Sequence, residues 1–306
     1  MKLTDILGGV CVQEPRSWGN IQVFPLVQPN GHQPAYALLD ELLARETVCI
    51  SELDEAGVVP TIKVRNDADI DALILDGAEL RGAKQNRMVN VTIIVGKRTE
   101  IPIPVSCVER GRWAYRSKGF SSRGRTVASK LRSLKAHMVY ESLTAGGHAA
   151  TDQMGVWSRV DGYFKRSGAH SKSAALDDVF ADRDADVEAV LEALRQIDAY
   201  GAVVAIGGEI VALDLLDARD TFAKLWTGLL RGYAIDAVLE RATDARVLRR
   251  QDVEQWIQAV AQNGTATPHE VSGVGEYYAI RSPKVAGSVV LHEGRPVHTA
   301  LFPATE

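Results

Sequence analysis

Long apolar runs are missing from this sequence. Nowhere do about 18 hydrophobic residues follow one another, so no segment has the character of a membrane-spanning helix. Cysteine is scarce: Cys11, Cys49 and Cys107 are widely spaced and odd in number. That pattern makes no disulfide frame and fits a reducing compartment, with the cytoplasm the expected location. No CxxC or HExxH spacing occurs, so no structural zinc and no other metal or cofactor is expected. GxGxxG and Walker loops are absent as well, which removes the usual signatures of dinucleotide and nucleoside-triphosphate sites. The opening residues, MKLTDILGGV, are too short and too acidic for a secretory signal.

Acid is missing where base is plentiful. The 306 residues carry a formal net charge of −4, but residues 80–176 hold 18 Lys+Arg against 5 Asp+Glu. Between Arg110 and Tyr140 stand Arg110, Arg112, Arg116, Lys118, Arg123, Arg125, Lys130, Arg132 and Lys135 with no acid at all. A continuous cationic belt attracts polyanions through phosphate contacts and counterion release. The competing reading is a solvated face that pairs with the acidic half of the same protein. Trp113, Tyr115 and Phe120 interleave with the cations, which suits base stacking as well as packing.

Hydrophobic patterning predicts strands at 21–27, 48–53, 61–66, 70–75, 89–95 and 100–105, with a helix at 34–45. Pro102 and Pro104 place the 100–105 segment at a sheet edge or make it extended coil. A turn at 121–125 leads into a helix over 126–143, whose apolar stripe is Val127, Leu131, Leu134, Met138 and Leu143, with Lys130, Arg132 and Lys135 lying off it. Further helices are expected at 151–166, 173–181, 184–199, about 218–241 and 251–262. Residues 201–216 read as a hairpin turning at Gly207-Gly208, and the C-terminus as three strands. Strands, then helices, then strands without strict alternation predict an α+β fold: a β-rich N-terminal part, a helical middle, and a C-terminal β-meander with a long helix packed on it. The expected organisation is one domain over 1–306, subdivided as a β-rich part (1–120), a helical part (121–200) and an α+β part (201–306).

The densest chemistry lies in DGAELRGAKQNR (76–87), a polar stretch between two apolar runs. Glu79 can polarise a water or shield a cationic transition state, as the cleavage of an N-glycosidic bond requires. Asn86 and Gln85 match the paired donor and acceptor edge of a base. Lys84 and Arg87 suit a phosphate, and Lys84 is also an amine able to attack C1′. Asn90 is an amide out of place in a strand-like run. A second cluster, PVSCVERGRW (104–113), offers Ser106, a second carboxylate in Glu109, and Arg112 beside Trp113. Cys107 has no neighbouring histidine and reads as core. Asp152 reads as a helix-start acid, and His298 as a structural histidine in an apolar strand.

ELRGAKQNR followed by VNVTIIV, then PVSCVERGRW, DQMGVW, FAKLWTGLLRGYAIDA and GSVVLHEGRPVHTALF together resemble the ARG and rhodanese-phosphatase-superfamily-associated protein family. The resemblance covers nearly the whole chain with its motifs in order. One branch of that family is similar to a DNA glycosylase that inhibits bacteriophage replication. What this implies is excision of a glucosylated hydroxymethylcytosine from phage DNA, leaving an abasic site. On that reading the partner is modified phage DNA, Glu79, Asn86 and Glu109 are catalytic candidates, and Lys84, Gln85, Arg87, Asn90, Ser106, Arg112 and Trp113 surround the substrate. Arg110, Arg116, Lys118, Arg123, Arg125, Lys130, Arg132 and Lys135 then hold the backbone. Alternatives are an enzyme acting on ADP-ribose or a related N-glycoside, and a non-catalytic nucleic-acid-binding module.

Overall fold

The computed structural model describes residues 1–29, 33–240 and 246–304. Its largest element is a nine-stranded antiparallel sheet. The strands run in the order Cys11–Val12, Ile21–Val27, Gly201–Ile206, Glu209–Leu216, Arg295–Pro303, Val285–His292, Glu276–Ser282 and Thr265–His269, and Arg16–Trp18 also pairs with Ile21–Val27. Both faces are covered, which explains why IQVFPLV is apolar but for Gln22 and GAVVAI is apolar throughout. Side chains alternate across a strand. Val23, Val204 and Ala212 therefore join the core beneath the long helix Arg219–Leu239. Phe24, Val203 and Leu213 join the opposite core, with the helices Leu3–Leu7 and Arg250–Asn263. The hairpin turns at Gly207-Gly208, both at positive φ, as a two-residue hairpin turn demands.

A six-stranded sheet runs Phe120–Thr126, Ala78–Gly82, Arg87–Val89, Thr99–Cys107, Thr61–Asn66, Val48–Glu52. A three-stranded sheet runs Ile93–Val95, Asp71–Ile74, Tyr36–Leu38, its last pair parallel. The expected α+β architecture holds: strands first, then the helices Ser129–Thr144, Gln153–Ser167, Leu176–Asp182 and Asp184–Leu194, then the C-terminal meander and its helix. The long helix closes at Leu239; position 241 of its expected span lies outside the described residues.

Four expectations need correction. The polar stretch 76–87 is not one loop: Ala78–Gly82 and Arg87–Val89 are paired strands, and only 83–86 forms the turn. The run 89–95 breaks at Asn90, Val91 and Thr92 into strands of two different sheets. The span 34–45 divides into strand Tyr36–Leu38 and a helix of one and a half turns, Leu39–Ala44. The turn at 121–125 is the irregular middle of strand Phe120–Thr126, with Gly124 at φ +62. The prolines behave as expected. Thr99–Pro104 pairs only with Thr61–Asn66, and a second neighbour appears at Val105–Cys107, beyond both proline nitrogens.

Candidate functional site

The turn 83–86 is organised by two carboxylates, one from strand Val48–Glu52 and one just beyond strand Thr99–Cys107. Glu52 accepts a hydrogen bond from the Lys84 N–H (3.1 Å) and Glu109 one from the Asn86 N–H (3.0 Å). Arg112 ties the turn together. It grips Glu109 with two nitrogens (2.9 and 2.6 Å) and donates to the carbonyls of Ala83, Ala114 and Gly82 and to the Asn86 amide oxygen. A planar five-donor fork can serve that many acceptors; a lysine cannot. Ser173 adds a third donor to Glu109 (2.6 Å). Burial pushes the Glu109 carboxyl upward, but the bonds from Arg112, Ser173 and the Asn86 N–H outweigh it and hold the pKa below its ordinary value. Glu109 is thus a permanently ionised group near neutral pH.

Beneath this turn lies a second pair. Arg87 is fully buried, and its Nη2 stands 3.7 Å from Glu52 Oε1, beyond hydrogen-bond reach. Nη1 donates to the Gln85 carbonyl and side chain. Arg87 Nε and Nη2 and Glu52 Oε2 are buried without a hydrogen-bond partner. Trp113 roofs the pair, its ring 5.7 Å from the Arg87 guanidinium carbon. Lys84 Nζ sits between the rings of Trp113 (5.4 Å) and Tyr115 (5.1 Å), and donates to the carbonyls of Glu55 and Ala56. Gly57, at φ +72, faces this point: a Cβ there would meet Lys84 Cδ at 3.1 Å, Trp113 at 3.4 Å and Glu52 Oε2 at 3.5 Å. Trp113 is 46% exposed and Tyr115 51%. Beside them Glu55, Tyr115, Arg116, Ser117 and Lys118 line an open hollow of about 600 Å³.

Glu79 lies elsewhere. Directly opposed residues of an antiparallel pair point to one face. Glu79 opposes Met88, whereas Arg87 opposes Leu80 and Cys107, so Glu79 and Arg87 project from opposite sides of the sheet. Glu79 is completely buried behind Arg125, which bonds it at 2.8 Å. Asp177 collects Arg125 (2.7 Å), Arg123 (2.8 Å) and Arg81 (3.6 Å). Glu79 Oε1 has no partner, and burial, only partly offset by Arg125, raises its pKa. The expectation that Glu79 and the turn amides address one ligand gives way to this register.

The cationic belt largely pairs inward, as the competing reading had it. Arg132 and Lys135 are buried at the sheet–helix boundary. Arg132 donates to Asp76 (2.8 Å), to both oxygens of Asp214 (2.8 and 2.9 Å) and to Tyr233; Lys135 reaches Asp76 (2.5 Å) and the Asn90 carbonyl (2.9 Å). A phosphate cannot approach either, so both leave the DNA-binding set. They turn inward because acids face that side of helix Ser129–Thr144, while Leu134 and Met138 of the expected stripe are only half-buried. Asp76, Asp214 and His298 offer atoms within 4.8 Å of one another, near enough to hold a metal ion, but the two cations already occupy the carboxylates. Lys130 pairs with Glu240 and Arg110 with Asp161 (2.9 Å). Among the described residues, Arg116 and Lys118 are exposed and stand in no ion pair. Asn90 donates to the Ala149 carbonyl and accepts from Ser106, which also meets Thr151, so both residues anchor segment 149–151. Asp152 caps its helix, accepting from the N–H groups of Met154 and Gly155. Cys107 is core, its thiol pushed up to about 11 by burial.

The structure thus brings together Lys84, Gln85, Asn86, Arg87, Glu109, Arg112 and Trp113, and separates them from Glu79, Asn90 and Ser106. Sequence reasoning missed Glu52 and Tyr115's partnership with Lys84. A signal existed for Glu52: Val48 and Ile50 are the inward positions of VCISE, and Glu52 continues their alternation as a carboxylate at a core position.

No curated protein and no solved structure matches the chain. The model of the ARG and Rhodanese-Phosphatase-superfamily-associated Protein domain matches residues 9–302. The match spans the motifs that carried the resemblance, from ELRGAKQNR to the closing strands, and the chain accordingly belongs to the ARG and Rhodanese-Phosphatase-superfamily-associated Protein family.

Proposed function

We propose that the protein is a DNA glycosylase that hydrolyses the N-glycosidic bond of a modified cytosine, the glucosylated hydroxymethyl form being the substrate that the family resemblance implies. The observation that carries this reading is the segment Trp113–Lys118: two half-exposed aromatic rings and two unpaired cations, beside the turn that the carboxylates of Glu52 and Glu109 hold. Aromatic faces stack extruded bases whatever their sequence context, and cations hold the flanking phosphates. Positive charge builds on the sugar as the base departs. An ionised carboxylate such as Glu109, held by Arg112, stabilises that charge without gaining a proton. Water adds at C1′ and its proton leaves with the base, so no cofactor enters the balance.

The test is incubation with glucosylated phage DNA followed by cleavage at abasic sites. Wild type should generate nicks. Trp113→Ala and Glu109→Gln should each lower the rate by about 10²-fold or more. Nicking by neither wild type nor variants, with released base absent by mass spectrometry, would reject the proposal. Glu79→Gln should retain most of the activity, since its side chain projects from the other face.

One observation favours a second reading, a small N-glycoside such as ADP-ribose. Ion pairing leaves few cations open around the aromatic pair, which is a footprint of about two phosphates rather than a long duplex. Release of free base from nucleotides, leaving the ribose phosphate, with phage DNA untouched, would support it.

A further inference from the structure

Buried polar atoms are almost always paired, and exceptions gather where a ligand supplies the partner. Glu52 and Arg87 provide three such atoms under one aromatic roof: the acceptor Oε2 and the donors Nε and Nη2. Both side chains are more than nine-tenths buried, and the free Oε2 and the Trp113 ring flank the same point at Gly57. The Glu52–Arg87 gap of 3.7 Å is too wide for a direct hydrogen bond, so neither group satisfies the other.

We infer that Glu52 and Arg87 form the base-reading edge of the site. The inference rests on the nucleic-acid reading above and adds to it the residues that choose the base. One carboxylate oxygen beside two guanidinium N–H groups presents acceptor, donor, donor. That is the order guanine offers to its partner, and cytosine answers it with the N4 amino group, N3 and O2. Carboxylate acceptance from cytosine N4 and arginine donation to ring acceptors are both established pairings of side chain with base. Thymine and uracil place a carbonyl where Glu52 places an oxygen and an N–H where Arg87 places a donor, so both contacts become repulsive. Adenine satisfies only the first two. Groups attached at C5 lie away from the N4–N3–O2 edge, so the pair reads cytosine whatever substituent C5 carries.

Trp113 then stacks on the base, and Lys84, now clamped between Trp113 and Tyr115, withdraws as the ring swings aside. The carbonyls of Glu55 and Ala56 keep the ammonium at the rim, where it meets a phosphate. Segment 110–119 carries Trp113 and holds no regular helix or strand; it is tied by single bonds from the Gly111 N–H to the Ser173 carbonyl and from the Arg116 N–H to the Ala83 carbonyl, so it can move without breaking a ladder.

Calorimetry with free 2′-deoxycytidine and thymidine monophosphates tests the assignment without requiring catalysis. Wild type should bind the cytidine nucleotide about tenfold more tightly. Glu52→Gln keeps an oxygen for the Lys84 N–H and substitutes a donor for Oε2, so the preference should shrink or reverse toward thymidine. Trp113→Ala, at an exposed position, should weaken both nucleotides and leave their ratio alone, which serves should Glu52→Gln melt early. Equal affinity of wild type for the two nucleotides, or an unchanged ratio in folded Glu52→Gln, overturns the inference. A protein that nicks phage DNA yet shows no such preference keeps its activity and loses this reading edge. One that prefers the cytidine nucleotide but releases no base keeps the edge and loses the glycosylase reading.

Discussion

Arg87 and Arg132 are both completely buried guanidiniums, and their surroundings differ in kind. Arg132 lies between two aspartates, and four hydrogen bonds to Asp76, Asp214 and Tyr233 fill both its terminal nitrogens. His298 adds a bond to Asp214 (3.0 Å) and meets Thr92 (2.7 Å), and Lys135 completes the set. Arg87 has one carboxylate at a distance and two nitrogens unserved. The first leaves only the Arg132 Nε without a partner and joins sheet to helix. The second is a half-network, and a half-satisfied group of charges weakens a core unless something outside completes it.

That contrast can be broken most forcefully at Arg132. Arg132→Leu leaves Asp76 and Asp214 buried with one cation fewer, and should cost about 3–5 kcal/mol in urea unfolding. A loss under 1 kcal/mol would mean that the network is not what joins the two layers. Acid should dismantle the same network. Burial alone would raise the carboxyl pKa of Asp76 and Asp214, but Arg132, with Lys135 at Asp76 and His298 at both, holds them well below the carboxylate range. A depressed folded-state pKa contributes stability that is present above the unfolded value, about 3.9, and is lost as pH falls toward the folded one. Unfolding free energy should therefore be flat from neutrality to about pH 5 and decline below about pH 4, and Arg132→Leu should flatten that decline.

Glu52→Gln should do less to stability, about 1–3 kcal/mol, because the amide keeps an oxygen for the Lys84 N–H and only the loose 3.7 Å pairing with Arg87 is lost. A cost matching that of Arg132→Leu would erase the distinction between the two groups. The smallest effect concerns salt. If Arg116 and Lys118 supply the phosphate contacts, the logarithm of DNA affinity should fall against the logarithm of salt with a slope of about −1.8. A slope several times steeper would show that cations outside this pair join the contact.

Much of the fold was legible because it rests on local rules. Gly207-Gly208 marked its hairpin, the alternation of VCISEL and TIKVRN marked strands, and the amphipathic stretch after 126 marked a helix. The bend at 76–87 was misjudged because Glu79 and Arg81 look solvent-loving in isolation. Glu79 is buried by its pairing with Arg125 while Arg81 stays part-exposed against Asp177, and no pattern in 76–87 announces partners that distant. The belt misled for the same reason: an acid-free run says nothing about acids arriving from Asp76, Asp161, Asp214 or Glu240. At the candidate site the turn residues and Trp113 were readable as polar and aromatic outliers. Only the tertiary register placed Glu79 on one face and Arg87 on the other.

Leu26 pairs with Gly201 and Ile21 with Ile206, so strand Ile21–Val27 is bordered by residues from far along the chain. A ribosome releases that strand, with Cys11–Val12 and Arg16–Trp18 on one side, long before its neighbour on the other side exists. Apolar on both sides, it must wait as an unpaired edge, a condition that slows folding and invites mispairing between nascent chains. Yield on overexpression should then depend on chaperone supply and growth temperature more than on the equilibrium stability of the finished protein.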